Sequence, residues 1–475
     1  MKKTAIKPRI GLFATGLDTY WNQFEGLRDR LDAYRQRIRA GIEAAAGVEA
    51  IDAGMVDSPE GAAAAASLLA GGEVDLVFLY VATYSLSSTI LPVAQRIGCP
   101  VIVLNLQPAA AIDYRTINAL KDRGRMTGMW LESCQACSVP EIANVFNRAG
   151  LRYDLVTGYL DDPSAWAQIG DWIAAAAVFR GMRENRLGIL GHYYGGMLDV
   201  YTDLTRQSAV FGTHLEMLEM CELKQLRDRL TDSDIDDKVR EFRVRFEVSP
   251  ECGADELRRA AATAAALDGM AKAHRLGSLA YYYEGEGVYE DIATSVIAGN
   301  TLLTGQNIPV AGECEVKNAQ GMKILSLLGA GGSFSEFYAL DFEDDIVLLG
   351  HDGPAHFQIA EGRVGLVPLP VYHGKPGRGL SIQMSVKRGP VTLLSVCENS
   401  EGVYLLAAEG EAVDGPTLQI GNTNSRYRFA CGARKFMDAW SKAGPSHHCA
   451  IGVGHQIERL KKVSFLFDIP IVIVP

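Results

Sequence analysis

The chain has 475 residues, 48% of them hydrophobic and 22% charged, with a formal net charge of -11. That length exceeds what one hydrophobic core serves, so two or three domains are expected. The acidic balance excludes a nucleic-acid partner, which needs a basic surface to displace counterions, and no run approaches the roughly 20 apolar residues that span a bilayer.

The opening MKKTAIKPRIGLFATG sets charges beside an apolar run too brief for the core of a secretory signal. Apolar runs then alternate with helix-period segments: RIGLFATG, the long WNQFEGLRDRLDAYRQRIRAGIEAAAG, VDLVFLY, SSTILPVAQRIG and PVIVLNL. Short β-rich runs spaced by helical ones are the signature of a parallel sheet covered on both faces. After an amphipathic stretch at 140–152 the rhythm resumes with LRYDLVTGYL and the helical SAWAQIGDWIAAAAVFRGMREN. The polar, basic RGMRENR marks a junction near residue 180. A second unit opens at RLGILGHYYGGM, continues through a helical LDVYTDLTRQSAVFG, and leads by SLAYYYEGEG into the helical YEDIATSVIAGNTLL.

From Gly331 onward the pattern changes to SFSEFYALDF, DIVLLG, GLVPLP, LSIQMSVKRG, PVTLLSVCEN and GVYLLAAEG, strands at short intervals with Gly, Pro and charged turns between them. Such spacing indicates a mostly antiparallel sheet or barrel. The helical FACGARKFMDAWSKAG interrupts it, and a helix-like IERLKKVSFLFD precedes the last strand, IPIVIVP. The expected fold is therefore α/β: two doubly wound parallel-sheet domains followed by a mostly antiparallel, β-barrel-like C-terminal domain. The expected boundaries are 1–180 for a Rossmann-like domain, 181–330 for a central α/β domain and 331–475 for the β-rich domain.

Four residues of the last third suit a divalent metal: Glu313 in VAGECEV, Glu336 in FSEFY, His351 in LLGHDGP and His448 in PSHHCAIG. Two carboxylates and two imidazoles match a hard or borderline ion, and carboxylates can also move protons. Each residue has a plainer alternative. Glu313, at the carboxyl end of a parallel strand, also fits a helix N-terminus. Glu336 shares a strand face with Phe334 and Tyr338, which can raise its pKa, but that face can equally be solvated. A single histidine is more often a hydrogen-bonded structural residue than a ligand, and His356, His373 and His455 are expected to be of that kind.

Other motifs carry less. RIGLFATG and RLGILGHYYGG lack the spacing of a dinucleotide fingerprint or a P-loop. Cys134-Gln-Ala-Cys137 has no second pair with which to hold zinc. The nine cysteines read as buried thiols of a reducing compartment, so a cytoplasmic location is expected.

Taken together, AGEC, FSEFY, LGHDG and PSHHC resemble, in order and spacing, the metal-binding segments of the L-arabinose isomerase family, within the wider fucose/arabinose isomerase-like fold. TYWNQFEGLRDRL near the start looks similar too, although the family's N-domain active-site histidine falls in a segment that here reads LESCQACSVPE. The resemblance implies an aldose–ketose isomerase, an intramolecular oxidoreductase that moves a proton through an enediol of an open-chain pentose or hexose. It implies Glu313 and Glu336 as the acid/base pair, with both of them, His351 and His448 at the metal. Met197, Tyr338 and His447 are implied as substrate contacts.

A thiolate-free donor set favours Mn²⁺, with Co²⁺ or Mg²⁺ as alternatives. The implied partners are a small sugar and further copies of the chain, as a trimer, tetramer or hexamer. Sugar stereochemistry would be read by loop side chains, His192, Tyr193 and Tyr194 among them. The rival readings are a non-catalytic sugar-binding relative, and a metal-dependent epimerase or hydrolase on the same scaffold.

Overall fold

A computed structural model describes residues 7–369 and 379–475, together with the backbone of 371–372 and 375–376; His373 lies outside the described residues. The chain divides into two compact units, 1–180 and 181–475.

The first unit is a five-stranded parallel sheet of β1 (Ile10–Thr15), β2 (Ile51–Val56), β3 (Leu76–Val81), β4 (Val101–Gln107) and β5 (Tyr153–Tyr159), in the order β2-β1-β3-β4-β5. Every residue of β1 and β3 is buried, which is why their sequences are continuous apolar runs rather than alternating ones. Helices Leu27–Ala46, Pro59–Gly71, Ser87–Ile97 and Gln135–Ala149 make the crossovers, and a core of Phe13, Val77, Leu79, Val103, Ile142 and Phe146 forms against the sheet.

Cys134 and Cys137 are disulfide-bonded at the start of helix Gln135–Ala149. Of the remaining seven cysteines, Cys252, Cys314, Cys397 and Cys449 are buried, whereas Cys221 is exposed. The expectation of nine buried thiols is thus corrected: a two-residue spacing at a helix start brings two sulfurs together without any second pair.

The second unit begins with another parallel sheet, β6 (Arg186–Gly191), β7 (His214–Leu218), β9 (Ser278–Tyr282) and β10 (Val310–Ala311), ordered β10-β9-β6-β7. β8 (Glu247–Val248) lies outside it. Helices Met220–Asp228 and Asp232–Arg245 pack on helix Ala254–Ala273, and the three share one core with Leu190, Leu218 and Leu279 of this sheet. Helix Ala254–Ala273 buries an alanine-rich face.

Next come β11 (Gly331–Asp341), β12 (Ile346–His351), β13 (Gly365–Pro368), β14 (Val371–Tyr372), β15 (Lys375–Pro376), β16 (Leu380–Gln383), β17 (Gly389–Glu398), β18 (Val403–Val413), β19 (Thr423–Arg428), β20 (His448–Val453) and β21 (Ile471–Val474). The main sheet runs β17-β20-β11-β12-β19-β18-β21, and β17 also pairs antiparallel with β18, which closes six strands into a ring. All its pairings are antiparallel except that of β21 with β18. β13 and β16 leave this sheet and join β8, far back in the sequence, in a separate three-stranded sheet. One continuous core, including Leu190, Leu267, Leu302, Val347, Leu393 and Ile451, runs beneath both sheets.

Candidate metal and proton-transfer site

Glu313 follows β10, at the carboxyl end of a parallel strand, the end at which open α/β sheets present ligands. Glu313 and Cys314 both take left-handed backbone angles, with φ of 54° and 59°. Strain of this kind in two successive non-glycine residues persists where the surroundings over-determine it, commonly at functional sites. Gly312 just before them has no room for a side chain, since a Cβ there would stand 2.9 Å from Phe334 Cε1.

Three further side chains come from neighbouring strands of the ring. Glu336 on β11 is paired directly with His448 at the start of β20 and, on its other side, with Gly350 of β12. His351 follows Gly350 as the last residue of β12. Directly opposed residues share a sheet face, so Glu336 and His448 meet without help from any loop. Phe334 packs beneath the histidines, its ring centroid 4.6 Å from His351 and 4.3 Å from His448.

The alternation expected to align Phe334, Glu336 and Tyr338 breaks at a register shift between Phe337 and Ala339. A bulge re-aims the residue it carries. The Tyr338 ring packs over Gly350, and its hydroxyl accepts the Asn422 side-chain amide at 2.7 Å.

The ligating atoms of Glu336, His351 and His448 lie within 4.8 Å of one another, and so do those of Glu313, His447 and His448. The two groups meet at His448. Its Nε2 and Glu313 Oε2 stand 3.5 Å apart, and both atoms are buried with no hydrogen-bond partner among the described residues. Buried polar atoms are seldom left unpaired, so an imidazole nitrogen and a carboxylate oxygen facing one another in this state suit a cation held between them.

The donor set is nitrogen and oxygen alone. The neighbouring Cys314 and Cys449 thiols are held protonated by burial, Cys314 pushed up to about 12 and Cys449 raised further. That chemistry fits a hard or borderline divalent ion.

Two carboxylates that the reading of the sequence did not select complete the arrangement. Glu315 is fully buried, and its Oε2 meets His448 Nδ1 at 2.6 Å while its Oε1 receives the Ser446 hydroxyl. Asp199 Oδ2 accepts both the backbone N–H of His447, at 3.0 Å, and its Nδ1, at 2.6 Å. Only the position of Glu315, two residues after Glu313, hinted at the first. Asp199 lay in a segment read as helical, but 198–203 is a 3-10 turn and loop before helix Leu204–Phe211.

Charge follows this geometry. Burial raises the Glu336 pKa, with Glu313 and Asp352 adding to the rise and the two histidines opposing it. His447 is pushed up to about 9 by its contact with Glu313 and then by Asp199. Burial works against the Asp199 carboxylate, but His447 holds it below its usual range. Burial, and then Glu336, raise the Tyr338 phenol.

A cavity of about 380 Å³ opens over Glu336 and His447, with Asp199, Phe337, Met437 and Trp440 in its walls. A larger one, about 610 Å³, lies along β8, β13 and β16, and Asn422, the hydrogen-bond partner of Tyr338, is among the residues that line it.

His192, Tyr193 and Tyr194 follow β6 beside this site. The Tyr194 N–H donates to the Glu313 carbonyl at 3.4 Å, and its ring lies 4.7 Å from that of Tyr282. Met197 begins the turn that carries Asp199, and this turn hydrogen-bonds the site through Asp199. His356 is buried and neutral, its imidazole pushed down to about 4 by burial; neither ring nitrogen has a hydrogen-bond partner among the described residues, so it is not the hydrogen-bonded residue expected. His455 stands near Glu409 and Glu411 instead of the site.

Residues 331–470 match the family described as the L-arabinose isomerase C-terminal domain. The chain is 23% identical to an L-arabinose isomerase of Nocardioides sp. over 70% of its own length and 68% of that protein's. It is 22% identical to one of Klebsiella pneumoniae over 68% and 67%. A sulfoquinovose isomerase of Alkalicoccus urumqiensis is 23% identical over 39% of this chain and 41% of its own length.

Proposed function

Since the chain is a relative of the L-arabinose isomerases and carries their C-terminal domain, we propose that it is an aldose–ketose isomerase acting on an open-chain pentose or hexose with a divalent metal, Mn²⁺ first. The observation that carries this reading is the convergence of Glu313, Glu336, His351 and His447–His448 around two buried ligating atoms that have no hydrogen-bond partner among the described residues. Glu313, Glu336, His351 and His448 would hold the ion. When bound, such an ion polarises adjacent sugar oxygens and stabilises the alkoxide that develops on them.

The protein's own groups handle the protons. Shifting a hydrogen between C1 and C2 needs a base and an acid on one edge of the substrate. Glu313 and Glu336 flank His448 and supply them. Without the ion, burial raises the Glu336 pKa above the usual carboxylate value; a bound cation would lower it and favour the carboxylate that accepts the proton. His447, charged and aimed by Asp199, is placed to donate a hydrogen bond to a sugar oxygen in the cavity. Tyr338, kept as a neutral phenol, can serve the same substrate as donor or acceptor.

The reading includes a cytoplasmic location and a homo-oligomer. Among the described residues no helix is long and apolar enough to cross a membrane. The test is ketose formation across a panel of pentoses, hexoses and 6-deoxyhexoses with Mn²⁺, together with solvent deuterium entering C2 of the aldose. Absence of both across the panel rejects the proposal, and solvent exchange without ketose favours an epimerase.

A further inference from the structure

His447 and His448 are adjacent in the chain, and their Nε2 atoms stand at the same distance, 3.5 Å, from the same oxygen, Glu313 Oε2. What differs is the carboxylate behind each ring. We propose that these carboxylates sort the pair: Glu315 fixes His448 as a metal ligand, and Asp199 fixes His447 as the group presented to the substrate's oxygens. Both are positioning residues. The Asp199 half rests on the isomerase reading, whereas the Glu315 half requires only that the site takes a metal.

Glu315 has no exposure, and its two oxygens are used by His448 Nδ1 and the Ser446 hydroxyl. Nothing of it remains for a substrate. A carboxylate in such a place costs free energy unless positive charge opposes it. His448 Nε2, if it held an ion, would bring that charge to Glu315 through the imidazole. A carboxylate at Nδ1 also fixes the tautomer in which Nε2 carries the lone pair that a metal needs. His448 has no exposure either, so it cannot meet solvent or a mobile ligand.

Asp199 is built differently. It sits on the turn Leu198–Val200, which Lys317 pins by donating its ammonium to the Asp199 carbonyl. Its carboxylate grips the backbone N–H and the ring of His447 together, so residue and rotamer are set by one group. Asp199, Glu336 and His447 all line the same cavity. The His447 side chain keeps 35% of its surface exposed. An imidazole held this way faces a ligand that comes and goes.

The sorting is tested by a crossover between two isosteric variants of the full chain, each stripped by chelator, titrated with Mn²⁺ by calorimetry, and then assayed at saturating Mn²⁺ on an aldose that the parent converts. Glu315→Gln is expected to weaken Mn²⁺ binding by about 10–100-fold, the usual effect of removing a partner behind a ligating imidazole. Asp199→Asn is expected to leave Mn²⁺ affinity at the parent's value and to lower kcat by about 10–100-fold. Equal loss of Mn²⁺ affinity in both variants, or loss in neither, overturns the sorting.

Because Glu315 is buried, circular dichroism checks its variant, and Ser446→Ala supplies a lighter perturbation of the same carboxylate. Ser446→Ala should weaken Mn²⁺ binding by less than Glu315→Gln does. Parent-like affinity in both, or stronger weakening by Ser446→Ala, overturns the Glu315 half. A parent that converts no aldose overturns the Asp199 half together with the isomerase reading, while the Mn²⁺ titrations still decide Glu315.

Discussion

Replacing Glu336 with Gln should move activity and stability in opposite directions. The exchange keeps the volume of the side chain on β11 and its pairing with His448 and Gly350, but it removes a group able to accept a proton. General acid–base catalysis by a placed side chain contributes about 10²–10⁴-fold. Glu313, on the other side of His448, and its neighbour His447 stay in place, so a loss near the middle, about 10³-fold in kcat or roughly 4 kcal/mol of barrier, is expected.

Stability follows from the sign of the pKa shift. Burial raises the folded pKa of Glu336 above its unfolded value, so its charged form is disfavoured in the fold. The native state therefore loses stability as pH rises from the unfolded pKa through the folded one, and stays lower above it. Gln carries no such charge. In chelator at pH 7, the variant should melt at or above the parent's temperature. Stopped assays of ketose formation and thermal melts with and without Mn²⁺ measure the two effects. Turnover within tenfold of the parent would refute the proton-transfer role, and a clearly lower melting temperature in chelator would refute the burial argument.

Gly350→Ala should destabilise the chain by about 2 kcal/mol or more in urea titrations, because a Cβ there would stand 2.4 Å from the Thr423 carbonyl oxygen and 2.6 Å from Tyr338 Cε2. His274 is hydrogen-bonded to Glu222 and Glu216, which raise its pKa. The stability it supplies is complete below the unfolded histidine pKa and is lost as pH rises through the higher folded value. Melts between pH 6 and 9 should thus fall less steeply for His274→Gln than for the parent, and parallel curves would contradict the clamp. Under denaturing, non-reducing conditions seven thiols should react, because Cys134 and Cys137 are paired; all nine reacting without reductant would show that pair to be open.

Much of this architecture was legible in sequence because its signals are local. Runs such as VDLVFLY announce buried parallel strands, and the change of rhythm after Gly331 announces the antiparallel ring. The residues of the site were also legible, each beside a turn signal or inside a strand pattern. Their convergence was implied only by the family resemblance, because it depends on β20 lying next to β11 although more than a hundred residues separate them. Glu315 and Asp199 stayed hidden for a related reason: each acts on a histidine 133 or 248 positions away, and neither breaks a local rule that would draw the eye. β13 and β16 were read as strands of the barrel, and β8 was not read at all, because strand sequences carry no record of their partners. The helices between 220 and 273 passed unread, since their charged faces obscure the apolar period.

The most direct measurement is anomalous diffraction from crystals of the full chain grown with Mn²⁺. The account predicts one peak, about 2.0–2.6 Å from ligating atoms of Glu313, Glu336, His351 and His448. Diffraction from well-ordered side chains at these positions with no peak among them, or with the ion bound elsewhere, would contradict it.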